Sequence, residues 1–472
     1  MSLPNTHFGA ERIAQIMENA KGVWFLGIGG VSMSALAEYT LALGRRVGGS
    51  DRTETARTDR LRSLGALLAA EETGEIPEGY GVVVYTVAVQ ETHPQYTYAR
   101  KVGIPCVSRA DYLGWLIAGY RRRVGIAGMH GKSTCTAMCA EILMRAENPT
   151  VFAGAELPAF GGNTGRVGAA GGTVLFEACE YKDSFLDLCP NIAVVLNIGM
   201  DHVDYFHSPE QVRASFRRYA DLAAGGTLLW NLDDPESRNA FSERLGAKTF
   251  SVSEAGADFR AEHVRTERGS VCFDLREKGR EPYPVKARAV GLHNVYNALA
   301  AAAAARLAGA EPETVTKALA GYRGVARRME YRGEMNGSPV YDDYAHHPDE
   351  IRATLAGARE LVPRGGRLVC VYQPHTYSRT DGLFGSFTTA FRSADAVLFT
   401  DIYAARETNE SGVTSQLLAN AVAAGGTDAF YTGDLSRTAK AVSEYLRPDD
   451  LLLIMGAGDV ENLFAVLPIQ TK

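Results

Sequence analysis

The sequence is poor in cysteine, has no long apolar run and carries no excess of positive charge. Its seven cysteines (Cys106, Cys135, Cys139, Cys179, Cys189, Cys272, Cys370) are odd in number and form no C-x-x-C pair. That speaks against a disulfide framework and for a reducing compartment. The longest apolar run, Ala298 to Ala305, falls far short of the ~20 residues that a spanning helix requires. The opening residues, MSLPNTHFGAERIAQI, lack a basic stretch followed by an apolar one, so no signal peptide is read there and a cytoplasmic protein is expected. With 49 Lys plus Arg against 55 Asp plus Glu, the net charge of -6 gives no general attraction to nucleic acid or to an anionic membrane. No tandem repeat or low-complexity segment is present, and nothing fixes an oligomeric state.

What is there reads as a globular enzyme: 46 % hydrophobic and 22 % charged over 472 residues, enough at ~150 residues per domain for about three. Apolar β-branched runs alternate with helical periodicity, the pattern of parallel sheets covered by helices. A first α/β unit, residues 1–120, is expected to hold strands at Gly22–Leu26, Val82–Tyr85 and Pro105–Ser108 and a helix at Val31–Leu43. The basic step Arg121-Arg122-Arg123 opens a second, 121–329, with strands at Val124–Ala127, Thr173–Glu177 and Ile192–Leu196. Within it Phe259–Val290 alternates polar and apolar residues like an antiparallel insertion, and an Ala-rich helix, Val295–Leu307, closes the unit. A third, 330–472, repeats the rhythm at Val340–Asp343, Arg367–Tyr372, Ala396–Thr400 and Leu451–Met455.

The most informative stretch is GIAGMHGKST, Gly125 to Thr134, between a strand and a helix. Glycines let successive N–H groups turn around a phosphate, and the helix N-terminus adds partial positive charge. Lys132 reaches for the β- and γ-phosphates and the Ser133 hydroxyl for Mg²⁺. Ile126 stands where the usual pattern has its first glycine, yet the strand–loop–helix setting still points to ATP or a relative. Glu177 ends a buried strand, where a carboxylate is costly without a cation. The next strand runs into NIGMDHVDYF, placing Asn197, Asp201, His202 and Asp204 at its C-terminal end, where α/β sheets bind ligands. Ser133 with Glu177 suits one Mg²⁺; His202 reads either as a further ligand or as a hydrogen-bonded turn histidine.

A second glycine turn, in GVWFLGIGGVSMSALAE (Gly22–Glu38), joins a strand to a helix, and Asp51 closes the following strand region at dinucleotide-site spacing. Ser32 holds the third glycine position, and Gly30 directly follows Gly29. A nicotinamide dinucleotide, another nucleotide diphosphate and a bare strand–helix turn all remain compatible with it.

These segments, taken in order with EACEYKDSFL (177–186), GLHNVYNALAA (291–301), RRMEYRGE (327–334), DDYAHHPDEI (342–351), QPHTYSRT (373–380) and MGAGD (455–459), resemble the Mur ligases over nearly the whole chain. GIGGVSMS, DDYAHHP and QPHTYSRT are particular to the L-alanine-adding step and its near relatives. The resemblance implies an N-terminal Rossmann-like UDP-binding domain, a central P-loop ATPase domain with a mostly parallel sheet, and a C-terminal Rossmann-like α/β domain. It implies an ATP- and Mg²⁺-dependent ligase that joins L-alanine to the carboxylate of UDP-N-acetylmuramate through an acyl-phosphate, in peptidoglycan precursor synthesis.

By the same resemblance Gly29, Gly30 and Ser32 cradle the UDP diphosphate and Asp51 lies near the uridine. Gly128, His130, Gly131, Lys132, Ser133 and Thr134 hold the ATP phosphates. Asn294 and Asn297 meet the adenine, with helix capping by Asn294 as the plain alternative. Asp343 lies at the ribose, Arg328 reaches the γ-phosphate, and Ser133, Glu177 and His202 hold metal. Arg379 suits a carboxylate clamp. His346 or His347, beside Tyr344 and His130 on the substrate side, either accepts the amine's proton or simply hydrogen-bonds the substrate, with His346 preferred and only one of the pair expected to touch substrate. The segment Gln211–Ala220 holds Arg213, Arg217 and Arg218 but no lysine, so the carbamylated lysine of other family members is not expected. A recycling ligase for a preformed peptide, a nicotinamide-dependent oxidoreductase and a non-catalytic nucleotide-binding regulator are the competing readings.

Overall fold

The computed structural model describes residues 3–202, 205–267, 269–405 and 407–470. Three sheets follow one another along the chain. The first has five parallel strands in the order Leu67–Ala69, Arg46–Ser50, Gly22–Leu26, Val82–Tyr85 and Cys106–Ser108. Strand order reverses beside Gly22–Leu26, which opens a crevice at the C-terminal ends where the Gly27–Gly30 turn sits. The edge-side strand Arg46–Ser50 is hard to see in the sequence because its middle is Gly48-Gly49. A Cβ on Gly48 would come within 2.6 Å of the Trp24 ring, so crowding by the neighbouring strand overrides strand propensity there.

The central sheet has ten strands, with the parallel run Ile192–Val195, Arg122–Ala127 and Thr173–Ala178 at its heart. The alternating segment does form antiparallel strands, Phe259–Glu267, Ser270–Glu277 and Tyr283–Ala287. They extend the main sheet, since Phe259–Glu267 pairs in parallel with Lys248–Ser251. Helices Lys132–Ala146 and Leu292–Leu307 pack on this sheet and on each other. Every residue from Ala298 to Ala305 is wholly buried, and all but Leu299 are alanine. Small side chains let the two helices approach closely. The third sheet has six strands, parallel except for the hairpin of Glu330–Met335 with Ser338–Asp343.

The first unit docks on the second through helix Val31–Ala42: Tyr39 Oη lies 2.6 Å from Tyr120 Oη, which lies 2.8 Å from Thr150 Oγ1. The C-terminal edges of the second and third sheets face each other, and the strap between those sheets holds two left-handed non-glycine residues, Arg327 (φ 56°) and Met329 (φ 49°). Among the described residues no helix is long and apolar enough to cross a membrane.

Candidate active site

Strand Arg122–Ala127 delivers the loop Gly128–Gly131 to the N-terminus of helix Lys132–Ala146. Gly131 is the helix N-cap at φ 86°, and a Cβ there would fall 2.3 Å from Asn297 Oδ1, so glycine is required by both backbone and space. Lys132 Nζ donates to the carbonyls of Gly128 (2.5 Å) and Met129 (3.1 Å) and to both oxygens of Glu180 (2.9 and 3.1 Å). Glu180 Oε1 also meets His202 Nε2 at 3.2 Å. Burial alone would raise the Glu180 carboxyl, but Lys132 and His202 hold it below its ordinary range. Ser133 Oγ donates to Glu177 Oε2 (3.2 Å), and Glu177 Oε1 accepts the Gly154 N–H at 2.5 Å. Burial nonetheless keeps the Glu177 carboxyl above its usual range, against the pull of Gly154, Lys132, Ser133 and Arg328.

From the opposite edge the third unit brings His346, His347, Glu350 and Arg379. Arg379 Nη2 lies 3.4 Å from Asp201 Oδ1 and its Nη1 lies 3.1 Å from His375 Nδ1. Burial beside His346 and Arg379 pushes His375 down to about 3, so it is a neutral acceptor for that guanidinium. Burial likewise lowers His346, with Glu350 opposing it in part. Glu350 Oε1 lies 3.3 Å from His130 Nδ1, across the cleft, and 3.9 Å from Arg328. The guanidiniums of Arg327 and Arg328 lie 5.0 and 5.2 Å from the centre of the Tyr344 ring, close enough for cation–π attraction.

Between the two units lies a cavity of about 720 Å³, lined among others by Gly131, Thr134, Asn294, Asn297, Arg328 and Asp343. That is room for a nucleotide-sized ligand. At the glycine turn of the N-terminal sheet, Asp51 Oδ2 accepts the Gly29 N–H (2.9 Å) and Arg57 Nε donates to the Gly29 carbonyl (2.8 Å).

Three family models cover the chain in succession: the Mur ligase family catalytic domain over residues 23–121, the Mur ligase middle domain over 126–305, and the Mur ligase glutamate ligase domain over 327–458. The UDP-N-acetylmuramate–L-alanine ligase of Caldanaerobacter subterraneus subsp. tengcongensis is 38 % identical over 448 residues, 94 % of this chain and 96 % of that protein. The chain is a member of the Mur ligase family. A second relative of the same name, from Lachnospira eligens, is 39 % identical over 93 % of this chain and 96 % of its own. Among solved structures, the UDP-N-acetylmuramate–alanine ligase of Thermotoga maritima superposes with a TM-score of 0.80 at 27 % identity, covering 94 % of this chain and 97 % of that one. A murein peptide ligase from Psychrobacter arcticus shares the fold, with a TM-score of 0.70 at 21 % identity over 96 % of this chain and 100 % of that one.

In this Mur ligase the expected residues fall into three groups. Lys132, Ser133, Glu177 and His202 gather at the phosphate loop, while Tyr344, His346 and Arg379 stand across the cleft. Gly29, Gly30, Ser32 and Asp51 form the separate N-terminal turn, where Asp51 is already engaged by the backbone of Gly29 and Thr53. Asp343 lines the cavity, but its oxygens accept from Met329 N, Ala345 N and Thr354 Oγ1. His347 is buried and caps helix Pro348–Arg359 through the Asp349 N–H. The Ala-rich helix begins at Leu292 behind the N-cap Gly291, so Asn294 is not its cap; it donates to the Val290 carbonyl and accepts from Asn297. Asp204 lies outside the described residues. Sequence reasoning gave no role to Asp201 and passed over Glu350. The latter had one readable signal, its place three residues after His347, the spacing of a capping box.

Proposed function

We propose that this chain joins L-alanine to the lactyl carboxylate of UDP-N-acetylmuramate at the expense of ATP, the amide-forming step that begins the peptide of a peptidoglycan precursor. The carrying observation is the match, over 93–94 % of this chain and 96 % of theirs, to relatives of that name at 38 and 39 % identity. The cleft supports the chemistry. A carboxylate is a poor electrophile, so phosphorylation must precede attack by the amine. Lys132 and Arg328 supply positive charge where γ-phosphate, carboxylate and departing ADP meet, the electrostatic contribution expected to dominate. We place the UDP moiety at the Gly29–Gly30 turn, the adenine beside Asn294 and Asn297, and the domain limits at residues 120/121 and 329/330.

Mg²⁺ fits the donors present: the oxygens of Ser133 and Glu177 converge, with a buried carboxylate that a cation would compensate, and His202 stands nearby on Glu180. When bound, the ion neutralises phosphate charge. On the other side, His346 Nδ1 lies 3.0 Å from the Tyr344 carbonyl, which assigns its hydrogen there and leaves the Nε2 lone pair for the amine proton. Arg379 is the carboxylate clamp for L-alanine. A preformed-peptide ligase and a nicotinamide oxidoreductase are not favoured by any of these observations.

The test is product analysis with UDP-N-acetylmuramate, ATP, Mg²⁺, a mixture of free amino acids and a tripeptide. The alanyl product and transfer of labelled carboxylate oxygen into inorganic phosphate are expected; a tripeptide adduct alone, or unlabelled phosphate, overturns the reading.

A further inference from the structure

We propose that Glu350 is a positioning residue that couples the seating of the phosphate loop to the orientation of His346. The proposal builds on the ligase reading above. Its basis is a division of labour between two oxygens of one carboxylate. Oε2 accepts the N–H groups of His346 (3.1 Å) and His347 (3.3 Å), at the start of helix Pro348–Arg359, and lies 3.4 Å from His346 Nδ1. Oε1 points the other way, to His130 Nδ1 at 3.3 Å and Arg328 Nη1 at 3.9 Å.

Helix capping explains only the first oxygen. A capping box needs one acceptor at the N-cap N–H, whereas the Oε1 contact with His130 reaches a residue 220 positions away on another sheet. His130 is itself fixed to its own unit by Asn197, which accepts its N–H (2.9 Å) and donates to its carbonyl (3.0 Å). The loop that turns around phosphate is therefore tied, through one imidazole and one carboxylate, to the histidine across the cleft. At His346, two acceptors flank Nδ1, the Tyr344 carbonyl and Glu350 Oε2, so both favour the same tautomer. Arg328 completes the set, since the carboxylate draws it toward the cavity that it lines. Consistent with this, Glu350 is buried yet held well below the ordinary carboxyl range, because His346, His130 and Arg328 outweigh its desolvation.

Glu350→Gln separates the two roles. Its side-chain carbonyl keeps the capping acceptor, because Gln serves in capping boxes as Glu does. Its amide then faces His130 and Arg328 with a donor where they need an acceptor. The experiment compares the wild type, E350Q, His130→Ala and the double variant. It measures thermal midpoint, affinity for a non-hydrolysable ATP analogue by calorimetry, and kcat and KM for each substrate. Expected are a nearly unchanged thermal midpoint and an unchanged KM for UDP-N-acetylmuramate. Analogue affinity and kcat should each fall about tenfold or more, the scale of a lost charge-assisted hydrogen bond, and E350Q should add little on the His130→Ala background. A fall in thermal midpoint with kcat and analogue affinity intact would reduce Glu350 to a helix cap, and additive losses in the double variant would refute the coupling. Failure of the ligase reading would look different: no alanyl product from the wild type, whatever the calorimetry shows.

Discussion

Glu180 grips Lys132 with both carboxylate oxygens, at 2.9 and 3.1 Å from the ammonium. The lysine expected to meet the nucleotide is thus folded back on its own loop and charge-paired within the protein. The same carboxylate touches His202, so one residue orients two of the groups expected to act on phosphate. Glu180→Ala should lower kcat by about 100-fold or more through loss of this preorganisation, with UDP-N-acetylmuramate binding intact. Steady-state kinetics and calorimetry check it; an unchanged kcat would leave Glu180 a bystander.

Arg379 lies between Asp201 of the central unit and His375 of its own. Arg379→Ala should raise the KM for L-alanine far more than that for ATP, by at least about tenfold for a lost bidentate carboxylate contact. Equal effects on both substrates would argue against a clamp.

The neighbouring histidines should separate cleanly. His347→Ala removes a buried helix cap and should cost about 1 kcal/mol or more of stability, seen in chemical denaturation. His346→Ala should leave the denaturation curve near wild type and cut kcat by about 100-fold or more. The reverse pattern would exchange their roles.

Asp342 offers a test by pH. It is wholly buried, neither oxygen has a hydrogen-bond partner, and Arg327 and Arg332 stand 3.7 and 3.9 Å away. Burial pushes its carboxyl up to about 7, against the pull of those two guanidiniums. A raised acid binds a proton in the folded state that the unfolded chain has released, so this residue's contribution to stability falls as pH rises from the ordinary carboxyl range to about 7. The Asp342→Asn variant should therefore gain in thermal midpoint relative to the wild type between pH 5 and 8. A constant difference across that window would reject the shift.

Much of the architecture could be read directly. The strands Gly22–Leu26, Val82–Tyr85, Ala396–Thr400 and Leu451–Met455 lie where unbroken apolar runs place them. Arg46–Ser50 is legible only as a strand region that Asp51 closes, without bounds, because its glycines are there for Trp24 and Ile28, neighbours that the local sequence does not reveal. In the site, Lys132, Ser133 and His202 announce themselves by motif, whereas Glu350 acts through a partner 220 residues away. Distance in sequence hid it. Asp201 could be placed at the ligand-binding sheet edge, but its pairing with Arg379 was hidden for the same reason, since Arg379 belongs to another sheet.

The methyl-lined seam between helices Lys132–Ala146 and Leu292–Leu307 has a mechanical consequence. From Ala298 to Ala305 nothing is exposed, and every side chain there except Leu299 is a single methyl group. The lysine-bearing and asparagine-bearing helices must therefore travel as a single rigid plate. Any relative movement of the second and third units would be taken up outside this plate, and the strap between their sheets carries the left-handed residues Arg327 and Met329.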